Sequence, residues 1–261
     1  MLSAGRFAKN RRMNCTIETV GIAGSRGHVI RGVMIKPVTA TASTPLPAVL
    51  AYSDIFQLTG PHLRICQRLA GYGFAVVLPE IFARLRLSET AFDFEQGRQL
   101  ALDSTERMEV AWFDEDRRTV LDWMRAQALM DPARLLACGW CIGGHLAFRA
   151  ALEPEIKATA CFYATGLHSD TLGGAHGTAV SLASAREIRG SLLLAWGTRD
   201  PHIPREGRLK IHRTLDNAGT TYHVRLYDAE HTFMRDEGAR HDPVATDRAF
   251  AAMLDLFEPF R

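Results

Sequence analysis

Lysine is scarce in this chain. Lys9, Lys36, Lys157 and Lys210 are the only ones, so arginine supplies nearly all the basic charge. The 31 basic residues are matched by 29 acidic ones, a formal charge of +2. So even a balance creates no strong field, which argues against nucleic acid or an anionic membrane surface as partner. Arginine excess suits bidentate carboxylate recognition, although a genomic composition bias produces the same excess. Also missing are an internal repeat, a long linker and any apolar run of transmembrane length. The five cysteines, Cys15, Cys66, Cys138, Cys141 and Cys161, show no CxxC…CxxC pattern. Their odd, uneven set fits a reducing cytosol better than a disulfide scaffold. No HExxH motif occurs, and His168, His176, His202, His223, His231 and His241 form no tight ligand cluster along the chain. Neither a metal nor an organic cofactor is therefore expected. Residues 1–13 carry Arg6, Lys9, Arg11 and Arg12 with no apolar segment of a secretory signal behind them. The expectation is a disordered or poorly ordered N-terminus over residues 1–14, one domain over 15–261, and a cytoplasmic protein, monomeric or a small homo-oligomer. A chain of 261 residues can bury a substantial core as one domain.

What the chain does contain is a run of short apolar segments. Cys15 to Gly21 and Val29 to Lys36 read as edge-type strands joined by a Gly-Ser-Arg-Gly turn. Ala48–Tyr52, Phe74–Leu78 and Leu135–Cys138 are apolar throughout, as parallel strands covered on both faces are. Further runs lie at Ala158–Tyr163, Leu192–Trp196 and Tyr222–Tyr227. Helix-period segments separate them: Pro61–Ala70, one long helix from about Ser104 to Leu129, Ile142–Leu152, Arg205–Asn217 and Pro243–Phe257. This alternation predicts a mostly parallel sheet with helices on both faces. Arg84 to Gln99 is the least regular interior stretch, expected as a surface flap over a pocket that Leu167 to Ala183 also lines.

The most informative segment is Gly139-Trp140-Cys141-Ile142-Gly143-Gly144, between a buried strand and a helix-forming run. A nucleophile on a tight strand-to-helix turn needs small residues two positions away on either side, because the backbone there is strained and crowded. Gly139 and Gly143 hold those positions. The helix that follows would present its N-terminus to Cys141, where dipole and free amides favour a thiolate. The Ile142 amide is one candidate oxyanion donor, and Ile55, after the strand ending near Tyr52, is the other. Cys138 ends an apolar run and is expected to point into the sheet, which makes a redox pair of Cys138 and Cys141 the weaker reading.

Two more strands end in candidate partners. Leu192–Trp196 opens through Gly197-Thr198-Arg199 into Asp200, and Tyr222–Tyr227 leads to His231. Doubly wound sheets place their chemistry at the carboxyl ends of strands. Nucleophile, acid and histidine also follow one another in the order that the α/β-hydrolase fold imposes. Cys141, Asp200 and His231 are thus the expected catalytic triad. The rival readings are a non-catalytic relative of the same fold that binds through the pocket, and a metal-dependent hydrolase.

On Gly-Trp-Cys-Ile-Gly-Gly, Gly-Thr-Arg-Asp-Pro-His-Ile-Pro, Glu-His-Thr-Phe-Met-Arg and Leu78–Arg84, the chain from about residue 16 onward resembles the dienelactone hydrolase, or carboxymethylenebutenolidase, family. The resemblance implies an α/β-hydrolase fold, a Cys-Asp-His triad at Cys141, Asp200 and His231, and hydrolysis of a small ester or lactone, including a carboxylate-bearing enol-lactone, without a cofactor. It also implies that an acidic residue modulates the resting cysteine. Asp54 in Ser-Asp-Ile-Phe-Gln stands where the family carries glutamate. Two arginines that hold a substrate carboxylate map onto Arg235 and, by spacing, Arg98. Trp140, beside the nucleophile, and Tyr163, ending its apolar run, are expected to contact substrate as well.

Overall fold

The apolar runs assemble into a single eight-stranded sheet in the computed structural model, which describes residues 14–261. The N-terminus expected to be disordered therefore lies, but for Asn14, outside the described residues. The strands are β1 (Cys15–Ala23), β2 (Val29–Pro37), β3 (Leu46–Tyr52), β4 (Ala75–Pro79), β5 (Met130–Trp140), β6 (Ile156–Phe162), β7 (Ser191–Gly197) and β8 (Tyr222–Tyr227), in spatial order β1-β2-β4-β3-β5-β6-β7-β8. The first hairpin and the β2–β4 pair are antiparallel, and every later pair is parallel. The helices are α1 (Gly60–Ala70), α2 (Arg98–Arg107), α3 (Val110–Arg125), α4 (Ile142–Ala150), α5 (Arg205–Ala218) and α6 (Pro243–Phe257). They cover both faces of the sheet, giving the α/β-hydrolase fold. None of the described helices is long and apolar enough to cross a membrane.

Composition explains the layering. The central strands are Val, Leu and Ala on both faces because helices lie on either side, and Ala48, Val49, Leu50, Leu135 and Leu136 are wholly buried. At the edge, β1 leaves Glu18 and Thr19 in water and forms a regular antiparallel ladder with β2. Register then decides where the chemistry can sit. Tyr52 pairs with Gly139, Trp140 with Phe162, Phe162 with Ala195, and Gly197 with Tyr227. The carboxyl ends of β3, β5, β6, β7 and β8 thus form one rim, and the loops leaving it carry Ile55, Cys141, Thr165, Asp200 and His231.

One expectation needs correction. The long helix over residues 104–129 is broken in two, and its first part begins earlier, at Arg98. Met108 and Glu109 are extended, with ψ of 139° and 146°. The Met108 side chain is buried, and its carbonyl accepts the Gly174 N–H at 2.9 Å. A partner some sixty residues on captures a carbonyl that would otherwise continue the helix, and helical periodicity carries no trace of it. Residues 84–99 are the irregular surface stretch beside the cavity that was expected, and it is pinned at several points. Arg84 is paired with Glu115 and Asp116, Ala91 bridges Gln57, and Phe92 is buried. Only Phe94 and Arg98 of this stretch reach the cavity.

Candidate active site

Cys141 sits between β5 and α4 with φ 60° and ψ −123°, a conformation few side-chain-bearing residues adopt. The close approach of three backbones maintains it. A Cβ built on Gly139 would lie 2.0 Å from the Gly143 carbonyl oxygen, and one on Gly143 would lie 2.2 Å from the Ser53 carbonyl oxygen. Only glycine fits at either place. The Cys141 N–H donates to the Phe162 carbonyl at 3.1 Å, tying the turn to β6. Ile142 opens α4, so its N–H lacks an intrahelical acceptor. Among the described residues, neither that N–H nor the Ile55 N–H donates to a protein acceptor, and both residues line the cavity beside the sulfur.

Asp200 and His231 follow β7 and β8 into the same corner. The Asp200 Oδ2 accepts from His231 Nδ1 at 2.7 Å, and its Oδ1 accepts the His202 N–H at 2.8 Å. Both side chains are almost fully buried. Burial opposes charge on His231. The nearby Cys141 sulfur and the Asp200 carboxylate together outweigh that, and the imidazole is pushed up to about 9. His202 lies edge-on to His231, ring centroids 4.7 Å apart, and burial followed by the neighbouring His231 charge lowers its own pKa.

The cavity in front of the sulfur holds about 490 Å³. Phe56, Phe94, Leu102 and Leu172 give it an apolar wall, and Arg98, Arg235 and Arg240 bring cations to it. Of the stretch 167–183, Thr171, Leu172 and Gly173 reach it. Arg235 is the most enclosed of the three arginines. Its guanidinium stands over the Phe94 ring at 4.3 Å, and Nη1 lies 3.8 Å from Asp54 Oδ2. Asp54 is buried, and its Oδ1 accepts the Phe56 N–H at 2.9 Å. Its own N–H donates to His62 Nε2 at 3.3 Å, so that nitrogen is unprotonated and the His62–Asp54 contact is no ion pair. Among the described residues no hydrogen bond joins Asp54 to Cys141. The carboxylate is turned toward Arg235 and the Phe56 amide instead.

Trp140 and Tyr163 depart from expectation because neither side chain lines the cavity. Trp140 is buried with its ring stacked on Phe162 at 5.7 Å, and Tyr163 packs edge-on against His231 at 5.2 Å and Phe233 at 5.3 Å. Strand alternation sends Trp140 into a helix-covered face, and Tyr163 backs the imidazole from behind. Thr165 and Arg240 border the cavity without having been picked out in the sequence, and His202, weighed there only as a metal ligand, borders it too. His202 alone had a usable signal, two residues after Asp200. Cys138 is buried within β5, as its apolar run implied, and among the described residues every cysteine is free. No group of three or more His, Cys, Asp or Glu side chains suited to a metal occurs among the described residues.

Comparison with known proteins now decides the family. The model of the dienelactone hydrolase family matches residues 30–261. The chain belongs to that family. With it the chain stands among the carboxylic ester hydrolases. A Saccharomyces cerevisiae relative, provisionally named a carboxymethylenebutenolidase, is 31% identical over 240 residues, spanning 89% of this chain and 88% of its own. Carboxymethylenebutenolidase 1 of Cupriavidus pinatubonensis is 27% identical over 243 residues, spanning 92% and 94%. A Klebsiella pneumoniae structure, provisionally named a dienelactone hydrolase, superposes with a TM-score of 0.81 at 22% identity, covering 94% of this chain and 98% of that one. At that identity it speaks for the fold alone.

Proposed function

We propose that this protein is a cysteine-dependent hydrolase of small activated esters or lactones that works through a thioester on Cys141. The observation that carries the reading is the Asp200–His231 hydrogen bond of 2.7 Å, with the imidazole against the sulfur of a strained strand-to-helix turn. An imidazole raised to about 9 keeps its proton near neutral pH, and its charge favours the thiolate form of Cys141 during attack. The thiolate attacks the substrate carbonyl carbon, and the Ile142 and Ile55 N–H groups hold the oxyanion that forms. As the tetrahedral species collapses, the carbon–oxygen bond breaks and His231 gives its proton to the departing alcohol or enolate. Now neutral, His231 takes a proton from water, hydroxide adds to the thioester, and the carboxylic acid leaves as the thiolate reforms. Asp200 keeps the imidazole in the tautomer that faces the sulfur throughout. A stabilised enolate leaves readily, so enol-lactones and aryl esters suit this thiolate better than alkyl esters.

Arg235, and more distantly Arg98, would grip a carboxylate on the substrate; the enclosed guanidinium over Phe94 supports Arg235 in this role. Asp54 holds Arg235 in place and takes part of its charge. Trp140 and Tyr163 act as packing behind the site, not as substrate contacts. The experiment is turnover of p-nitrophenyl acetate, a dienelactone and an alkyl ester by wild type, Cys141→Ala and Cys141→Ser. Both variants are expected to lose at least about 1,000-fold in kcat, with the wild type fastest on the activated substrates. Full turnover by Cys141→Ala would leave only a binding role for the pocket.

A further inference from the structure

Behind the nucleophile lies a line of buried polar groups that the hydrolytic steps leave unused. Arg149, on α4, donates from Nη1 to the Ser181 hydroxyl at 2.8 Å. Ser181 Oγ lies 2.6 Å from His145 Nε2, and His145 Nδ1 lies 3.1 Å from the Thr165 carbonyl oxygen. The direction of every proton follows. A guanidinium only donates, so the Ser181 oxygen accepts from Arg149 and its own hydrogen goes to His145 Nε2. A carbonyl only accepts, so Nδ1 carries the ring proton. Burial and then the Arg149 charge push the His145 pKa down to about 3, so the ring stays neutral and this tautomer persists across the working pH range.

The line ends on Thr165, which is clamped. Its N–H donates to the Cys141 carbonyl at 3.2 Å while His145 holds its own carbonyl. That leaves the Oγ1 hydroxyl 3.6 Å from the Cys141 Sγ, with no other hydrogen-bond partner among the described residues. Either atom could donate in a neutral pair, but toward a thiolate, which only accepts, the hydroxyl is the donor. On the reading of Cys141 as nucleophile, we propose that Thr165 is a positioning residue whose hydroxyl donates to the Cys141 thiolate, aiming the sulfur and stabilising its charged form. The other groups facing the sulfur fit this assignment. The His231 imidazolium flanks it, and the buried Tyr163 phenol is pushed well up and stays neutral. Asp54 has its charge partly offset by Arg235 at 3.8 Å. Once the sulfur is acylated its charge is gone and the hydroxyl bond weakens, so Thr165 acts on the free enzyme.

The test is the rate of Cys141 alkylation by iodoacetamide against pH, followed by mass of the Cys141 peptide, in wild type, Thr165→Val and Thr165→Ser. Steady-state kinetics on p-nitrophenyl acetate accompany it. Thr165→Val keeps the branched shape and removes the donor. It is expected to move the alkylation midpoint up by about one pH unit. Its kcat/KM should fall about tenfold at pH values below the midpoint and rejoin wild type above it, with KM unchanged. Thr165→Ser should restore the wild-type midpoint. A wild-type midpoint in Thr165→Val, or a loss of the same size at every pH, overturns the assignment while leaving the nucleophile in place. A wild-type Cys141 that alkylates like an ordinary thiol, with a midpoint of about 8.5, overturns this inference, while turnover of Cys141→Ala decides the nucleophile reading separately. Should Thr165→Val fail to fold, Ser181→Ala breaks the line at a distance from the sulfur. The same upward direction is expected from it, and an unmoved midpoint counts against Thr165.

Discussion

Burial alone would keep His231 neutral, and the Cys141 sulfur and Asp200 reverse that, so folding makes this imidazole a stronger base. Its pKa rises from an ordinary 6.5 to about 9. A group raised on folding contributes stability that is fully present below its unfolded value and is lost as pH rises through its folded one. The window for His231 therefore runs from 6.5 to about 9. Wild type should exceed His231→Gln in denaturation midpoint most clearly near pH 6, and the gap should narrow steadily toward pH 9. Urea titrations of both proteins across that range measure it, and a gap that stays constant would show that the imidazole gains no proton on folding.

At the scale of elements, the turn between β5 and α4 is held by contacts and not by local preference. The Cβ of an alanine at Gly143 would stand 2.2 Å from the Ser53 carbonyl oxygen and 2.3 Å from that of Tyr52. Backbone on both sides must shift to admit it, and that shift would also move the Ile55 amide away from the sulfur. Gly143→Ala is expected to cost about 3 kcal/mol of stability and most of the activity. Urea unfolding and p-nitrophenyl acetate turnover check both, and an active variant as stable as wild type would refute the close-approach argument. The glycine spacing made this turn legible in the sequence, because a sharp corner needs small residues at fixed offsets. The break at Met108 was not legible. Hydrophobic period reports which face of a helix is covered, and Val110, Val120, Leu121 and Met124 keep their period whether or not the preceding turn is helical. What breaks the helix is Gly174 taking the Met108 carbonyl, a partner from another part of the chain.

For the molecule as a whole, near-neutral net charge hides a local asymmetry. Arg98 from α2 and Arg235 and Arg240 from the β8–α6 connection converge on one cavity, while Asp54 and Glu106 are its acidic members. Arg235→Ala is therefore expected to lower kcat/KM for a carboxylate-bearing lactone tenfold to about a hundredfold, the scale of a charged hydrogen bond. Turnover of a neutral ester of similar size should change little. Parallel kinetics on the two substrates decide it, and an equal loss on both would assign Arg235 to holding Asp54 and Phe94 in place.

The succession of strands and helices apart from the break between α2 and α3, the corner at Cys141, and the order of cysteine, aspartate and histidine past three strand ends were present in the sequence. They rest on local rules: side-chain period, glycine at tight corners, and the way a parallel sheet gathers its carboxyl ends on one rim. Folding alone decided that Asp54 pairs with Arg235, that Trp140 and Tyr163 turn into the core, and that Thr165 meets the sulfur with His145, Ser181 and Arg149 behind it. Each of those outcomes depends on the direction a side chain takes among neighbours brought from elsewhere in the chain. A one-dimensional pattern records which residues are available, but not which of them the packed interior leaves facing one another.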